Sequence, residues 1–185
     1  MSPLLSPADL LARVRDFDNR VDTAFDAIRG NKTADRLFYA ASELGDFSLI
    51  WHLVGAARGL TSDRRANEAI RLSAVLAGES VLINGVVKSF FRRRRPEWLS
   101  EAPRPHRLRR PRSSSFPSGH ASAAFAAATL LAEDDPLWPL YYAAAAFVAS
   151  SRTYVKIHHA SDVVAGAATG ILIGRIARKV WQKPE

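Results

Sequence analysis

The sequence predicts an all-α integral-membrane bundle of about five transmembrane helices, preceded by an amphipathic helix, in a single domain over residues 1–185. Three observations support this fold. Apolar segments of helical length recur along the chain, and the charged residues are concentrated between them. Glycines recur at four-residue intervals in the last apolar segment, which is typical of closely packed helices. The length of 185 residues is that of one domain.

The N-terminal segment 1–32 is predicted to contain the amphipathic helix. Apolar residues recur at three- and four-residue spacing over 7–31, with Arg and Asp between them. Ser6-Pro7 is a typical helix start, and Gly30-Asn31 marks the end. Such a helix could lie on a membrane surface or cover the bundle, and the pattern leaves both open.

The five spans are predicted at about 34–58, 69–90, 118–132, 137–150 and 160–180. The first contains Glu43, Asp46 and His52, which in a bilayer must face the bundle interior, another protomer or water. Gly45 is expected to kink it. The second is long enough, at about 1.5 Å per residue, to cross most of a bilayer. The third and fourth are short but Ala-rich, which permits close helix approach.

A first polar cluster, Ser151-Arg152 through His158 to Asp162, has the spacing of a base and its orienting acid. If a helix begins near His158, then His158 and Asp162 are i and i+4 neighbours on one face. The carboxylate can then fix the tautomer and leave the other ring nitrogen basic, which His159 cannot achieve with the same acid. We predict that His158 is a nucleophile that forms a phosphohistidine and that Asp162 orients it. The alternative is a surface ion pair.

A second cluster, Pro117-Ser118-Gly119-His120, precedes the apolar run 121–132. Ser118 is a natural N-cap, and the free N–H groups of a helix start form a common seat for phosphate. His120 in the first turn could protonate a leaving oxygen as general acid. The alternative is a helix cap with an incidental histidine.

A third cluster supplies cations. Lys88 closes an apolar helix, Arg95-Pro96 follows, and Arg152 is a third candidate clamp for phosphate oxygens. Such cations would stabilise the charge of an in-line phosphoryl-transfer transition state. On its own, the run Arg92 to Arg95 is equally consistent with a solvated charge run or a nucleic-acid patch.

The combination of the three clusters over residues 88–162 resembles the motif set of the type-2 phosphatidic-acid phosphatase superfamily, which includes vanadium haloperoxidases. The motifs are, in chain order, Lys-x6-Arg-Pro, Pro-Ser-Gly-His and Ser-Arg-x5-His-x3-Asp. The resemblance implies catalysis without a metal or other cofactor, and the chain, with no Cys, offers no evident metal site. Members commonly have six spans, so a second protomer could supply the missing surface. The implied roles are phosphate binding by Lys88, Arg95 and Arg152, a hydroxyl and an amide from Ser118 and Gly119, an acid in His120, and a nucleophile pair in His158 and Asp162.

The formal net charge of +8 admits nucleic acid, anionic lipids or phosphorylated substrates as partners. With five spans, 18 of the 26 Lys and Arg residues fall on the active-site side. The positive-inside rule then predicts an active site on the cytoplasmic side of the cell membrane. A nucleic-acid-binding module would leave His120, His158 and Asp162 unexplained, so nucleic acid is not expected as a partner.

The expected substrate is a lipid phosphate in the membrane. The compact, Ala/Arg-rich chain resembles actinobacterial family members that act on prenyl-linked sugar phosphates, which makes decaprenylphosphoryl-5-phosphoribose our sharpest hypothesis. Basic residues of 92–112 could hold its second phosphate, with Trp98 as an interface anchor. Phosphatidic acid, phosphatidylglycerophosphate and undecaprenyl diphosphate are the alternatives. A soluble phosphatase or vanadate-dependent peroxidase shares the motifs, but the peroxidases are much larger.

Overall fold

The computed structural model describes residues 6–97 and 113–181, and every regular element within these ranges is helical, as predicted. Helix α4 continues through a π-helical turn, Val81–Val86, into a 3-10 turn, Val87–Phe90. Trp98 and most of the basic loop lie outside the described residues, so their predicted roles stay predictions. The helices are α1 (Pro7–Asp26), α2 (Lys32–Leu44), α3 (Leu49–Gly59), α4 (Asp63–Ser80), α5 (Gly119–Leu131), α6 (Trp138–Tyr154) and α7 (Ala160–Val180).

Helix α1 covers the bundle. It starts at the predicted cap: Ser6 Oγ accepts from the Asp9 N–H, and the Asp9 carboxylate accepts from the Ser6 N–H, each at 3.2 Å. This reciprocal pair satisfies two of the free donors at the helix start. The helix packs against α6 and α7 and buries Asp18. The structure therefore favours the second of the two placements that the sequence left open.

The predicted span 34–58 is divided into two helices, α2 and α3, by a short 3-10 turn, Asp46–Ser48. Phe47 and Ser48 have φ values of +53° and +59°, in the left-handed region that few residues other than glycine occupy. The kink expected at Gly45 is present. A Cβ on Gly45 would lie 2.7 Å from the ring of His120, so only glycine lets the turn approach α5 this closely.

Helices α5 and α7 pack at very short distance through the predicted glycine face. A Cβ on Gly166 would overlap the Ser118 carbonyl oxygen, and one on Gly170 would overlap that of Ser122. The close approach puts the start of α5 against the first turn of α7, where the Ser118 N–H donates to the Asp162 carbonyl at 3.0 Å. Two of the sequence motifs are thereby joined through the backbone.

The opposite end of the bundle is closed by ion pairs around the turn between α5 and α6. Arg58 of α3 lies 3.0 Å from Asp135, and Arg71 of α4 lies 2.8 Å from Glu133, which also meets Arg178 of α7 at 3.3 Å. These contacts tie three helices to one turn. They leave the other end of the bundle, where the motifs meet, free to form a site.

Two helical stretches are long and apolar enough to cross a membrane, namely Asp63–Phe90 and Ala160–Val180. Helix α5 is apolar but shorter. The number of five spans therefore stays a prediction. Many large apolar side chains point outward from the helices, among them Leu53, Ile70, Leu140, Val164 and Leu172, each more than half exposed.

Candidate active site

The three sequence motifs meet at a cavity of about 460 Å³, bounded by the turn after α2, the end of α4, the start of α5 and the loop before α7. Of the predicted site residues, five line it: Lys88, Gly119, His120, Arg152 and His158. The other three, Arg95, Ser118 and Asp162, contact those five or the backbone directly behind them. All eight predicted residues are thus brought together, although they lie up to 74 positions apart in sequence.

His158 is buried at the base of the cavity in the loop that follows α6. Its N–H donates to the Arg152 carbonyl at 3.1 Å, and its Nε2 lies 3.3 Å from Nη1 of Arg95. Burial lowers the pKa of His158 to about 3; the Asp162 carboxylate opposes this shift, and nearby cations add to it. The ring is therefore neutral near pH 7, the state in which a ring nitrogen can act as a nucleophile.

Asp162 lies beside His158 but does not hold it as predicted. Its Oδ2 is 3.7 Å from His158 Nδ1, which is too long for a hydrogen bond, and Nδ1 has no hydrogen-bond partner among the described residues. The reason is the helix register, since α7 begins at Ala160 and not at His158. Asp162 occupies the third helical position and accepts instead from the His159 N–H at 2.9 Å.

A second partner fixes the Asp162 carboxylate from behind. Nη1 of Arg93 donates to Asp162 Oδ1 at 2.6 Å, and Nη2 of the same guanidinium donates to Asp18 Oδ2 at 2.6 Å. Asp18, in α1, also accepts from the backbone N–H and the hydroxyl of Ser161, at 2.7 and 2.9 Å. The N-terminal helix is thereby connected to the predicted nucleophile pair through charged hydrogen bonds.

The three predicted phosphate clamps are held in different ways. Nζ of Lys88 donates to Oδ1 of Asn84 at 2.8 Å, one helical turn earlier. Arg95 is fixed by backbone carbonyls, donating to Ile157 at 3.0 Å and to Ser114 at 3.1 Å. Arg152 is buried, and its Nη1 donates to the hydroxyl of Ser42 in α2. Its Nε has no partner among the described residues and remains available to an anion.

The start of α5 forms the wall between these cations. Ser118 is the N-cap, as predicted, and its Oγ accepts from the Ala121 N–H at 3.4 Å. The residue is fully buried and does not line the cavity. Gly119 does line it, and a Cβ there would lie 2.9 Å from Asn84 Oδ1. A larger residue at this position would therefore displace the Asn84 side chain.

His120 pairs with an acid that sequence reasoning did not assign to the site. Its Nε2–H donates to Oδ1 of Asp46 at 2.9 Å. Asp46 begins the turn between α2 and α3, and the turn's left-handed residues, Phe47 and Ser48, line the same cavity. The sequence signal for Asp46 was present, because an acid follows Gly45 within an otherwise apolar segment, but nothing local connected it to His120.

Unsatisfied polar atoms are concentrated around the cavity. Buried side-chain atoms without a hydrogen-bond partner in the described residues include Arg152 Nε, His158 Nδ1, Glu79 Oε1 and Ser122 Oγ. Buried polar groups normally have partners, so such a concentration indicates a ligand site. The cations at the cavity would attract an anion. Within the described ranges, no three His or acidic side chains are grouped as metal ligands would be.

Comparison with known proteins identifies related sequences. The sequence profile of the PAP2 superfamily matches residues 68–185. Decaprenylphosphoryl-5-phosphoribose phosphatase of Mycolicibacterium smegmatis is 33% identical over 129 residues, covering 69% of this chain and 68% of that protein. The Mycobacterium tuberculosis protein of the same name is 29% identical over 140 residues, covering 75% and 76%. A lipid A 1-phosphatase of Porphyromonas gingivalis is 45% identical over 69 residues, but the match spans only 35% of this chain and 16% of that protein.

Two solved structures share the fold. A transmembrane PAP2-type phosphatidylglycerolphosphate phosphatase from Bacillus subtilis superposes with a TM-score of 0.70 at 24% identity, covering 94% of this chain and 88% of that one. LpxE of Aquifex aeolicus gives a TM-score of 0.65 at 24% identity, covering 91% and 94%. At these identities the likeness concerns the arrangement of helices.

Proposed function

Because the chain belongs to the PAP2 superfamily, we propose that it is a membrane phosphatase that hydrolyses a lipid phosphomonoester through a phosphohistidine and without a metal ion. The observation that carries this proposal is the cavity in which His158, His120 and three cationic side chains meet. These residues come from three separate segments, so their meeting is a property of the fold and not of local spacing.

In the first step, Nε2 of His158 attacks phosphorus in line with the ester oxygen, so that a P–N bond forms as the P–O bond breaks. The neutral ring has the lone pair that this attack requires. Lys88, Arg95 and Arg152 stabilise the charge on the equatorial oxygens. The unpartnered Nε of Arg152 is a donor that such an oxygen would satisfy.

His120, acting in its doubly protonated form, supplies the proton for the leaving alcohol, and the Asp46 carboxylate stabilises the positive charge of that form. With Nε2 directed to Asp46, Nδ1 is the nitrogen left for the ester oxygen. In the second step the same ring takes a proton from water as the water oxygen attacks the phosphohistidine. The P–N bond then breaks, inorganic phosphate leaves, and both histidines return to their starting state. Asp46 acts as a positioning residue throughout.

Asp162 stabilises the positive charge that develops on His158 when its Nε2 bonds to phosphorus. The 3.7 Å separation closes to a hydrogen bond as that charge appears. Gly119 contributes a backbone N–H at the start of α5, where the helix dipole favours an anion. Ser118, for which a phosphate-binding hydroxyl was predicted, instead caps this helix from behind the cavity wall.

The membrane location is proposed from the surface of the bundle. Apolar side chains face outward while cations, carboxylates and histidines face the cavity, which is the arrangement that lipid surroundings require. We place the active site on the cytoplasmic side of the cell membrane, from the distribution of Lys and Arg. The chain has no cysteine, so single cysteines can test this directly. In intact spheroplasts an impermeant maleimide should label Pro136→Cys but not Arg94→Cys, and the reverse pattern would place the site outside.

Decaprenylphosphoryl-5-phosphoribose is the substrate we propose, on the basis of the two mycobacterial relatives that align over most of their length. Removal of its 5-phosphate would give decaprenylphosphoryl-ribose, a precursor of cell-wall arabinan. Phosphatidylglycerophosphate, phosphatidic acid and undecaprenyl diphosphate are the substrates to compare. The similarity to a lipid A 1-phosphatase would favour a lipid A phosphate as substrate, but it covers too little of that protein to outweigh the similarity to the mycobacterial relatives.

The test is phosphate release by detergent-purified protein over these four lipids in the presence of a chelator, with His158→Ala beside wild type. We expect fastest release from the prenyl-linked sugar phosphate and none by the variant. A phosphoramidate that is acid-labile and base-stable should be trapped in wild type during turnover. Release that persists in His158→Ala would contradict the nucleophile, and dependence on a divalent ion would contradict the metal-free mechanism.

A further inference from the structure

Glu79 is a buried acid in the cavity that the proposed mechanism does not use. It lies near the end of α4 with 3% of its surface exposed, and it lines the cavity together with Ser80, Asn84 and Lys88. A buried carboxyl is costly unless it is hydrogen-bonded or paired. The Glu79 carboxyl, buried beside the phosphate clamps, is therefore expected to have a hydrogen-bonding partner.

The described residues do not supply that partner. Oε1 of Glu79 has no hydrogen bond of normal geometry, and the neighbouring hydroxyl, that of Ser122 on α5, is fully buried and does not line the cavity. Lys88 is not within 4 Å as an ion-pair partner, because its Nζ is directed to Asn84. One carboxylate oxygen of Glu79 is thus left without a hydrogen bond of normal geometry at the cavity wall.

The π-helical turn explains how Glu79 comes to face the cavity. In a regular α-helix Glu79 and Asn84 would point about 140° apart, since five residues exceed one turn of 3.6. The i→i+5 hydrogen bonding of the turn Val81–Val86 widens the helix and reduces this angle, and both side chains line the same cavity. A distortion of this kind is frequent at functional sites.

We propose that Glu79 is a specificity-determining residue that binds a free hydroxyl on the alcohol group carrying the phosphate, as in a glycerol or a sugar. The proposal rests on the lipid phosphatase function. An acid would repel the phosphate oxygens, which the three cations attract, so Glu79 contacts the part of the substrate beyond the ester oxygen.

Matched substrates that differ by one hydroxyl test this. One pair is an alkyl glycerol 3-phosphate with a free 2-hydroxyl and its 2-deoxy analogue; the other is a short-chain prenylphosphoryl ribose 5-phosphate and its 3-deoxy analogue. Wild type should prefer the hydroxylated member of at least one pair by about 10- to 150-fold in kcat/KM, the range for one hydrogen bond to a charged group. Glu79→Leu should hydrolyse both members of that pair equally, and Glu79→Gln should keep part of the preference.

Glu43→Leu, which removes an exposed acid on α2, is the matched control and should keep the wild-type ratio. If Glu79 only supports the fold, its variants lose activity on both members alike and the ratio is unchanged, which would overturn the proposal. A wild-type ratio of one in both pairs would overturn it as well while leaving the phosphatase function intact. Absence of release from every lipid phosphate would instead refute the proposed function itself.

Discussion

Replacing Arg93 with Lys tests whether its guanidinium positions Asp162 for catalysis. The two Nη atoms reach two buried carboxylates, Asp162 and Asp18, each at 2.6 Å. A lysine ammonium is a single point charge without the planar fork, so it can keep at most one of these hydrogen bonds in good geometry. The net charge of the site stays the same, which isolates the effect of geometry.

The expected decrease in kcat follows from the one charged hydrogen bond that a lysine at position 93 cannot make. A hydrogen bond between charged groups contributes about 1.5–3 kcal/mol. If its absence is expressed in the transition state, where Asp162 faces the positive charge on His158, it corresponds to about a 10- to 150-fold decrease in kcat. Arg93 does not line the cavity, so the KM for the lipid substrate should change little.

The assay is steady-state phosphate release, with kcat and KM measured separately and inorganic phosphate tested as a competitive inhibitor. Arg94→Lys is the matched control, because Arg94 is adjacent and exposed and its side chain makes no hydrogen bond within the described residues. The control should behave as wild type. For Arg93→Lys we expect a lower kcat, with KM and inhibition by phosphate unchanged.

Three results would refute this reasoning. A raised KM with unchanged kcat would mean that Arg93 binds the substrate directly and does not act through Asp162. Wild-type values for both constants would mean that the hydrogen bonds to Asp18 and Asp162 do not influence the reaction. Equal decreases in kcat for Arg93→Lys and Arg94→Lys would indicate a general effect of this segment.

Three further predictions concern packing, leaving-group dependence and pH. Gly170→Ala should lower the stability of the detergent-solubilised protein by about 1–3 kcal/mol, because the added Cβ disrupts the close α5–α7 contact. Gly78→Ala should raise the stability by about 0.5–1 kcal/mol, because a Cβ there meets nothing within 4 Å. Thermal unfolding compares the two variants, and equal effects would contradict the packing argument. Asp46→Asn should slow the hydrolysis of alkyl phosphates by more than about tenfold and that of p-nitrophenyl phosphate far less, because only the alcohol leaving group needs a proton from His120. Equal decreases in the two hydrolysis rates would argue against an acid role for His120. The pKa of His158 is about 3 in the folded protein, whereas an unfolded histidine titrates near 6.5, so this residue should lower the free energy of unfolding by about 2 kcal/mol from pH 7 to pH 5. His158→Asn should remove that part of the pH dependence. Parallel pH profiles of stability for the variant and wild type would contradict the buried neutral ring.

Most of the residues that sequence reasoning placed in the site share one property: they lie at a helix end or in a short loop. Ser118 was identifiable as an N-cap because it precedes an apolar run, and the structure has it there. Lys88 was identifiable because it ends such a run. Signals of this kind depend only on neighbouring residues in the sequence, so these residues could be identified without knowledge of the fold.

The relation between His158 and Asp162 shows where local reasoning failed. The spacing suggested i and i+4 positions of one helix, but the helix begins two residues after His158. Asp162 itself sets this start, because its carboxylate accepts from the N–H of the capping residue, His159. Histidine is not among the residues that favour an N-cap, so the composition pointed to no start at this position.

The acids that support the two histidines could not be found from spacing at all. Asp46 lies 74 positions from its partner His120, and Asp18 lies 75 positions from Arg93. Their pairing depends on how α1 and the turn after α2 pack against the bundle. An isolated acid in an apolar or amphipathic segment was the only signal, and it names no partner.

These two acids also bear on which part of the chain makes the site. The profile of the superfamily matches residues 68–185 and includes every motif residue. Asp18 and Asp46 both precede this region, yet one holds the guanidinium that fixes Asp162 and the other bonds the ring of His120. The matched region thus contains all of the proposed reacting groups, while the N-terminal helices supply charged hydrogen bonds to them or to their partners. Variation in α1 and in the turn after α2 can therefore tune the activity of a site whose motif residues are unchanged.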